Sequence, residues 1–190
     1  MLHGFPLKQS FNIIKTHALI SFVAFLLGIL IFPSAITNSF GKIIFSVIAT
    51  IVYILSIYNS AYEIYSRDNK SYTQESPFKL KGLLMGVPLL ILTIIIYTLY
   101  FFSWRFMTID GIIVGASGWI NNFLFLIWSF PFTGFINLAN GTMNLYGYVI
   151  VALIPLISSF LGYFAGFYGF DLNAKINQLI YEKKNKEEKK

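Results

Sequence analysis

Six polar side chains recur at helical spacing within an otherwise apolar stretch of this sequence. Successive members are three or four residues apart, so a helix would place all of them on one side. They are Ser46, Thr50, Tyr53, Ser56, Ser60 and Glu63. Hydroxyls in this arrangement could line a polar pathway or a binding wall that ends at the carboxylate. The favoured alternative is packing, in which the hydroxyls bond to their own backbone and to neighbouring helices.

The carboxylate at the end of this row has an obvious partner. Glu63 precedes Arg67 by four residues, which is the spacing of an ion pair on a helix surface. Such an interfacial pair is favoured over a proton or cation site at Glu63.

A second polar set lies within residues 111–170, a stretch without any Lys, Arg, Asp, Glu or His. Amide side chains and backbone carbonyls can bind a neutral solute or a weakly held cation without a fixed charge. The alternative, which we favour, is that these asparagines form turns. The amides are those of Asn121, Asn122, Asn137, Asn140 and Asn144.

Small residues also recur in the last apolar stretch. Ser158, Gly162 and Gly166 are each four residues apart. This spacing lets another helix approach closely, so it predicts a helix-packing face. The partner helix could belong to the same bundle or to a second copy of the chain.

Several chemistries have no support in the sequence. The chain has no cysteine, and its two histidines, His3 and His17, have no carboxylate at metal-ligand spacing. Nucleophile-elbow, phosphate-loop, dinucleotide-glycine and zinc-protease motifs are missing as well. We therefore predict no catalytic, cofactor-binding or metal-binding residue, and we expect that the protein is not an enzyme.

Composition places these residues on membrane helices. The chain has 190 residues, of which 56% are apolar and 12% are charged, which is typical of a membrane protein. We predict one membrane domain over residues 1–190, with apolar segments of spanning length at 18–36, 43–62, 82–104 and 146–170.

The first segment could instead be a signal peptide cleaved after Ala35. A long preceding region and Pro33 near the cut argue against that alternative.

The distribution of basic residues predicts the topology. Twelve of the fourteen Lys and Arg residues fall in the N-terminus, the 66–81 loop and the basic tail 171–190. The positive-inside rule therefore favours both ends in the cytoplasm and an even number of spans. Residues 106–145 must then form a re-entrant or interfacial helical insertion, broken at Pro131, before the last span. The alternative is a pair of short crossings there, which gives six spans.

Together these patterns predict an all-α integral membrane protein with four transmembrane helices. The functional hypothesis is a small permease, channel or solute-binding membrane component that works as an oligomer or with a partner. The alternative is a non-transporting subunit, scaffold or regulator of another membrane complex. The lysines indicate anionic lipids at the cytoplasmic face rather than nucleic acid, and the composition is typical of a bacterial cytoplasmic membrane protein. We expect any site where the insertion meets the polar face of the second helix.

Overall fold

Helices make up almost all of the described chain. A computed structural model describes residues 6–30, 39–70, 77–106, 108–109, 112–113, 115–136, 145–170 and 174. Two short strands, β1 (Thr108–Ile109) and β2 (Ile112–Ile113), pair antiparallel, and a 3-10 turn at Phe130–Phe132 joins α4 to α5. The helices are α1 (Leu7–Leu30), α2 (Ser39–Asp68), α3 (Lys81–Phe106), α4 (Ala116–Ser129), α5 (Thr133–Ile136) and α6 (Leu145–Phe167).

Four helical stretches within these ranges are long and apolar enough to cross a membrane, which confirms the predicted fold class. They are Leu7–Leu30, Ile43–Asp68, Lys81–Phe106 and Ala116–Ile136. The last of these combines α4, the 3-10 turn and α5, and it lies in the segment that we predicted as an insertion. The 23-residue α6 contains the shorter apolar stretch Val151–Phe167.

Helix α1 begins at Leu7, well before the start at residue 18 that hydropathy suggested. In its first turn, the Pro6 carbonyl accepts hydrogen bonds from the backbone N–H and from the hydroxyl of Ser10, both at 2.9 Å. Ser10 and His17 are buried. The early polar residues thus belong to a packed helix face, which a hydropathy average cannot distinguish from a polar leader.

The predicted small-residue face of α6 packs against α2 of the same chain. A Cβ atom on Gly162 would collide with the backbone carbonyl of Tyr58, and one on Gly166 would collide with the Tyr65 ring. Ser158, the third member of the face, is buried and donates to the Ile154 carbonyl one turn earlier at 2.7 Å. Since Gly162 and Gly166 meet successively later residues of α2, the two helices run parallel.

Helix α6 is antiparallel to α3. A Cβ on Gly82, at the start of α3, would meet Tyr163 near the end of α6. At the opposite end, the rings of Tyr97 and Tyr148 are 5.1 Å apart. The C-terminal end of α3 and the N-terminal end of α6 therefore lie at the same end of the bundle.

We expect Gly162→Ala to destabilise the bundle, because the added methyl group collides with backbone rather than with a side chain that can rotate. Overpacking of this kind costs about 1–3 kcal/mol. Thermal unfolding of the purified chain in detergent would measure the loss. Leu161→Phe is the matched control, since Leu161 is exposed on the lipid side of the same turn. Equal melting temperatures for Gly162→Ala and the unchanged chain would contradict the close α2–α6 contact.

Candidate functional site

Four helices converge on the imidazole of His17 in the interior of the bundle. Nδ1 of His17 on α1 lies 2.6 Å from the hydroxyl oxygen of Tyr53 on α2. The ring centroid of Trp128, on α4, is 4.1 Å from that of His17. The Trp128 indole in turn donates to Thr93 Oγ1 on α3 at 3.0 Å. We call these four residues the His17 cluster.

Two polar atoms beside the cluster lack a hydrogen-bond partner within the described ranges. They are Nε2 of His17 and Oγ of Ser21, both of which are buried. The two residues are four apart on α1, so they share one face of the helix. A buried polar group without a partner costs about 1–3 kcal/mol. A hydrogen-bonding solute placed between these atoms would recover part of that free energy.

The hydrogen bond to Tyr53 determines what His17 can offer such a solute. If the Tyr53 hydroxyl donates to Nδ1, the proton of the neutral ring sits on Nε2, which is then a donor. If Nδ1–H donates to Tyr53, Nε2 is an acceptor. The Ser21 hydroxyl can also donate or accept. The two groups can therefore present either a donor or an acceptor to a hydrogen-bonding partner.

The turn after α4 is fixed by the polar face of α2. Ser46 Oγ accepts the backbone N–H of Gly134 at 2.7 Å. Thr50 Oγ1 donates to the Pro131 carbonyl at 3.2 Å. Irregular backbone at membrane depth is stable only where protein or water satisfies its polar groups. These two hydroxyls do so, and they hold Trp128 beside His17.

The rest of the predicted polar face is also engaged within the chain. Ser56 donates to the Val52 carbonyl at 2.8 Å, and Ser60 Oγ lies 3.1 Å from the hydroxyl of Thr16 on α1. At its end, Arg67 and Glu63 form the predicted ion pair at 3.8 Å with exposed side chains. Of the six residues, only Tyr53 belongs to the His17 cluster.

The predicted amide site is only partly described. Asn121 Nδ2 donates to Ser103 Oγ, near the end of α3, at 2.7 Å. Asn122 is half-buried on α4. Ser103 is roughly 15 Å along α3 from Thr93 at 1.5 Å per residue, so Asn121 lies apart from the His17 cluster. The remaining amides, of Asn137, Asn140 and Asn144, lie outside the described residues.

A buried ion pair joins three helices at the opposite end of the bundle. Lys81 Nζ lies 2.9 Å from Asp68 Oδ2, and the two side chains are 4% and 6% exposed. The Tyr163 hydroxyl donates to the same carboxylate oxygen at 2.9 Å. The end of α2, the start of α3 and the last turns of α6 are thereby connected. The Lys81 cation and the Tyr163 hydroxyl take the place of the water that the Asp68 carboxylate loses on burial.

Sequence reasoning missed both clusters for different reasons. His17 was placed ahead of the first span, although Ser10, His17, Ser21 and Gly28 repeat at spacings of seven, four and seven residues. That periodicity was the available signal for a buried face on α1. Asp68 and Lys81 were counted as charges of a hydrophilic loop, and no local pattern indicates that they meet.

No family model, curated protein or solved structure matches this chain. Within the described ranges, no group of three or more His, Asp or Glu side chains could hold a metal ion.

We expect Lys81→Met to destabilise the protein strongly, because it leaves the Asp68 carboxylate buried without its cation. Removing one partner of a buried pair typically costs about 3–5 kcal/mol. The double change Asp68→Leu/Lys81→Met removes both charges and should restore much of the loss. Thermal unfolding in detergent measures both variants.

The surface pair provides the matched control for this experiment. Glu63→Gln/Arg67→Gln removes an exposed ion pair, and exposed pairs contribute about 0–1 kcal/mol. If Lys81→Met melted no earlier than this control, the Asp68–Lys81 contact would not be a buried pair.

Proposed function

We propose that the chain is a small permease or solute-binding membrane component, and that its site is the His17 cluster. The observation that carries this proposal is the buried His17 Nε2 beside Ser21 Oγ, both without a described hydrogen-bond partner. Polar groups deep in a membrane protein are costly, so they are functional candidates by default. The proposal is also supported by Tyr53, which belongs both to the predicted polar face of α2 and to the His17 cluster.

The solute that suits this site is small, neutral and capable of hydrogen bonding. The cluster contains an imidazole, a phenol, an indole and a hydroxyl, and none of them carries a fixed charge. The nearest charged residue along α1, Lys15, has an exposed side chain. An ion would have to leave its hydration shell without a compensating charge, whereas a neutral solute would exchange hydrogen bonds with water for bonds to His17 and Ser21.

The contacts of α4 and α5 support a re-entrant path to the site. Asn121 donates a hydrogen bond to Ser103 near the end of α3, and Trp128 donates one to Thr93 at the middle of α3. The Gly134 N–H donates to Ser46 near the start of α2. These contacts favour a segment that enters to the level of the His17 cluster and turns back towards the side from which it came. A re-entrant segment of this kind gives a solute access from one face of the membrane.

A chain of four spans hardly encloses a complete solute path. We therefore propose that it works as an oligomer or with a partner protein, in a bacterial cytoplasmic membrane with both ends inside. A non-transporting subunit or scaffold is the second candidate. It is favoured by the α2 polar face, where Ser46, Thr50 and Ser60 all bond within the chain.

Single-cysteine labelling separates the two candidates, because the chain has no cysteine of its own. We expect Ser21→Cys in membranes to react with methyl methanethiosulfonate at least about tenfold faster than Ser159→Cys, since only a hydrated thiol forms the reactive thiolate. Both serines are 0% exposed, but Ser159 donates to the Gly82 carbonyl at 3.1 Å and lies outside the cluster. Intact mass after timed quenching gives the rates.

A second substitution tests whether labelling of Ser21→Cys depends on the His17 cluster. Adding His17→Phe to Ser21→Cys should slow the labelling, because an apolar ring no longer holds water or solute beside the thiol. Equal rates for Ser21→Cys and Ser159→Cys would exclude a solute path to His17 and leave the non-transporting candidate.

The re-entrant path makes a separate topological prediction. Ser117→Cys, at the start of α4, and Asn144→Cys, just before α6, should react with a membrane-impermeant maleimide from the same side. Asn185→Cys in the basic tail should react only from the other side. Mass spectrometry of the labelled chain from intact cells and from inverted vesicles shows from which side each cysteine reacts. Labelling of Ser117→Cys and Asn144→Cys from opposite sides would mean that the segment crosses once.

A further inference from the structure

A groove between α3 and α6 lies apart from the His17 cluster and opens sideways. Its volume is about 370 Å³, which is within the usual range for ligand pockets, roughly 300–1,000 Å³. Ala152, which is buried, lines it because its small side chain leaves space beside Tyr97. The other lining residues on which the argument depends are Ile94, Thr98, Phe101 and Tyr148.

The groove faces the bilayer rather than the bundle interior. Ile94 and Phe101 at its edge are 52% and 56% exposed, and both belong to a helix of spanning length. Lipid chains therefore surround this surface. The lining residues include no charged side chain, so the part of a ligand that occupies the groove is apolar.

A cation lies on the same helix face as the groove. Ile94, Thr98, Phe101 and Arg105 are four, three and four residues apart, so they form one stripe along α3. Arg105 is exposed. The adjacent Trp104 marks the headgroup level, where tryptophan is enriched in membrane proteins. An arginine at this level can form two parallel hydrogen bonds to a phosphate.

The length of this stripe matches one lipid leaflet. At 1.5 Å per residue, α3 rises roughly 16 Å between Ile94 and Arg105. The hydrocarbon core of a bilayer is roughly 30 Å thick, so half of it is about 15 Å. A lipid with its phosphate at Arg105 would extend its acyl chain along the whole groove.

We propose that the groove is a binding site for a phospholipid of the leaflet that contains Arg105. One acyl chain lies against Ala152 and the paired rings of Tyr97 and Tyr148, and the phosphate pairs with Arg105. This site is at the opposite end of the bundle from the Asp68–Lys81 pair. It is therefore distinct from the cytoplasmic lysines that we expect to attract anionic lipid.

Native mass spectrometry of the purified chain, titrated in non-ionic detergent, tests the proposal with two probes. Dioleoylphosphatidylglycerol has the phosphate, and dioleoylglycerol has the same chains without it. We expect one phosphatidylglycerol per chain. Ala152→Phe fills the groove and should weaken retention of both probes by about tenfold. Arg105→Gln should weaken phosphatidylglycerol only, and Arg105→Lys should restore part of that loss.

Two control variants separate the site from general effects of bulk and charge. Ile157→Phe adds an aromatic ring to a lipid-exposed position of α6 outside the groove lining. Arg67→Gln removes an exposed arginine from α2. Both should retain phosphatidylglycerol as the unchanged chain does. Circular dichroism of every variant checks that the helices are intact.

Two results would overturn the proposal. The first is unchanged lipid retention by Ala152→Phe; if the oligomeric state of that variant also changes, the groove is a contact between protein chains. The second is loss of both probes to the same extent in Arg105→Gln, which would mean that the phosphate is not recognised. Because Arg105→Gln alters only an exposed side chain, its result stands even if Ala152→Phe fails to fold.

Discussion

A backbone turn in the apolar interior of a membrane protein needs hydrogen bonds from the protein around it, and here α2 provides them. The Thr50 hydroxyl donates to the Pro131 carbonyl within the 3-10 turn, and the Ser46 hydroxyl accepts the Gly134 N–H just after it. Without these bonds, the Gly134 N–H and the Pro131 carbonyl would be unsatisfied in an apolar environment, at a cost of several kcal/mol each. The position of α4, and with it Trp128, depends on them.

The molecule handles its buried polar groups in two different ways. At the centre, His17 and Tyr53 belong to a cluster that needs no counter-ion. At one end of the helices, Asp68 and Lys81 form an ion pair, and the Asp68 carboxylate also accepts a hydrogen bond from the Tyr163 hydroxyl. Moving an ion out of water costs several kcal/mol even after relaxation, so buried charge requires a partner at bonding distance. This division is the physical reason for assigning a neutral solute to the centre.

Residue periodicity and the distribution of charge predict those features that follow a regular pattern along the sequence. The α2 polar face was visible because six members share one spacing, and the prediction of an even number of spans followed from assigning twelve basic residues to the cytoplasmic side. The start of α1 was not visible, because its buried polar residues lower local hydropathy in the same way as a solvated leader would. The bond between Trp128 and Thr93 joins residues 35 apart in sequence, and no local pattern encodes it.

Tyr97 belongs to the surroundings of both proposed sites. Its hydroxyl accepts a hydrogen bond from Ser129 at 3.2 Å, and its ring lines the α3–α6 groove. Ser129 follows Trp128, which contacts His17. A lipid that moved the Tyr97 ring would therefore disturb the same turn that positions the indole. Proximity alone does not make two sites coupled; each ligand must favour one of two arrangements of that turn. The turn at Ser129 is the element through which such coupling would have to act.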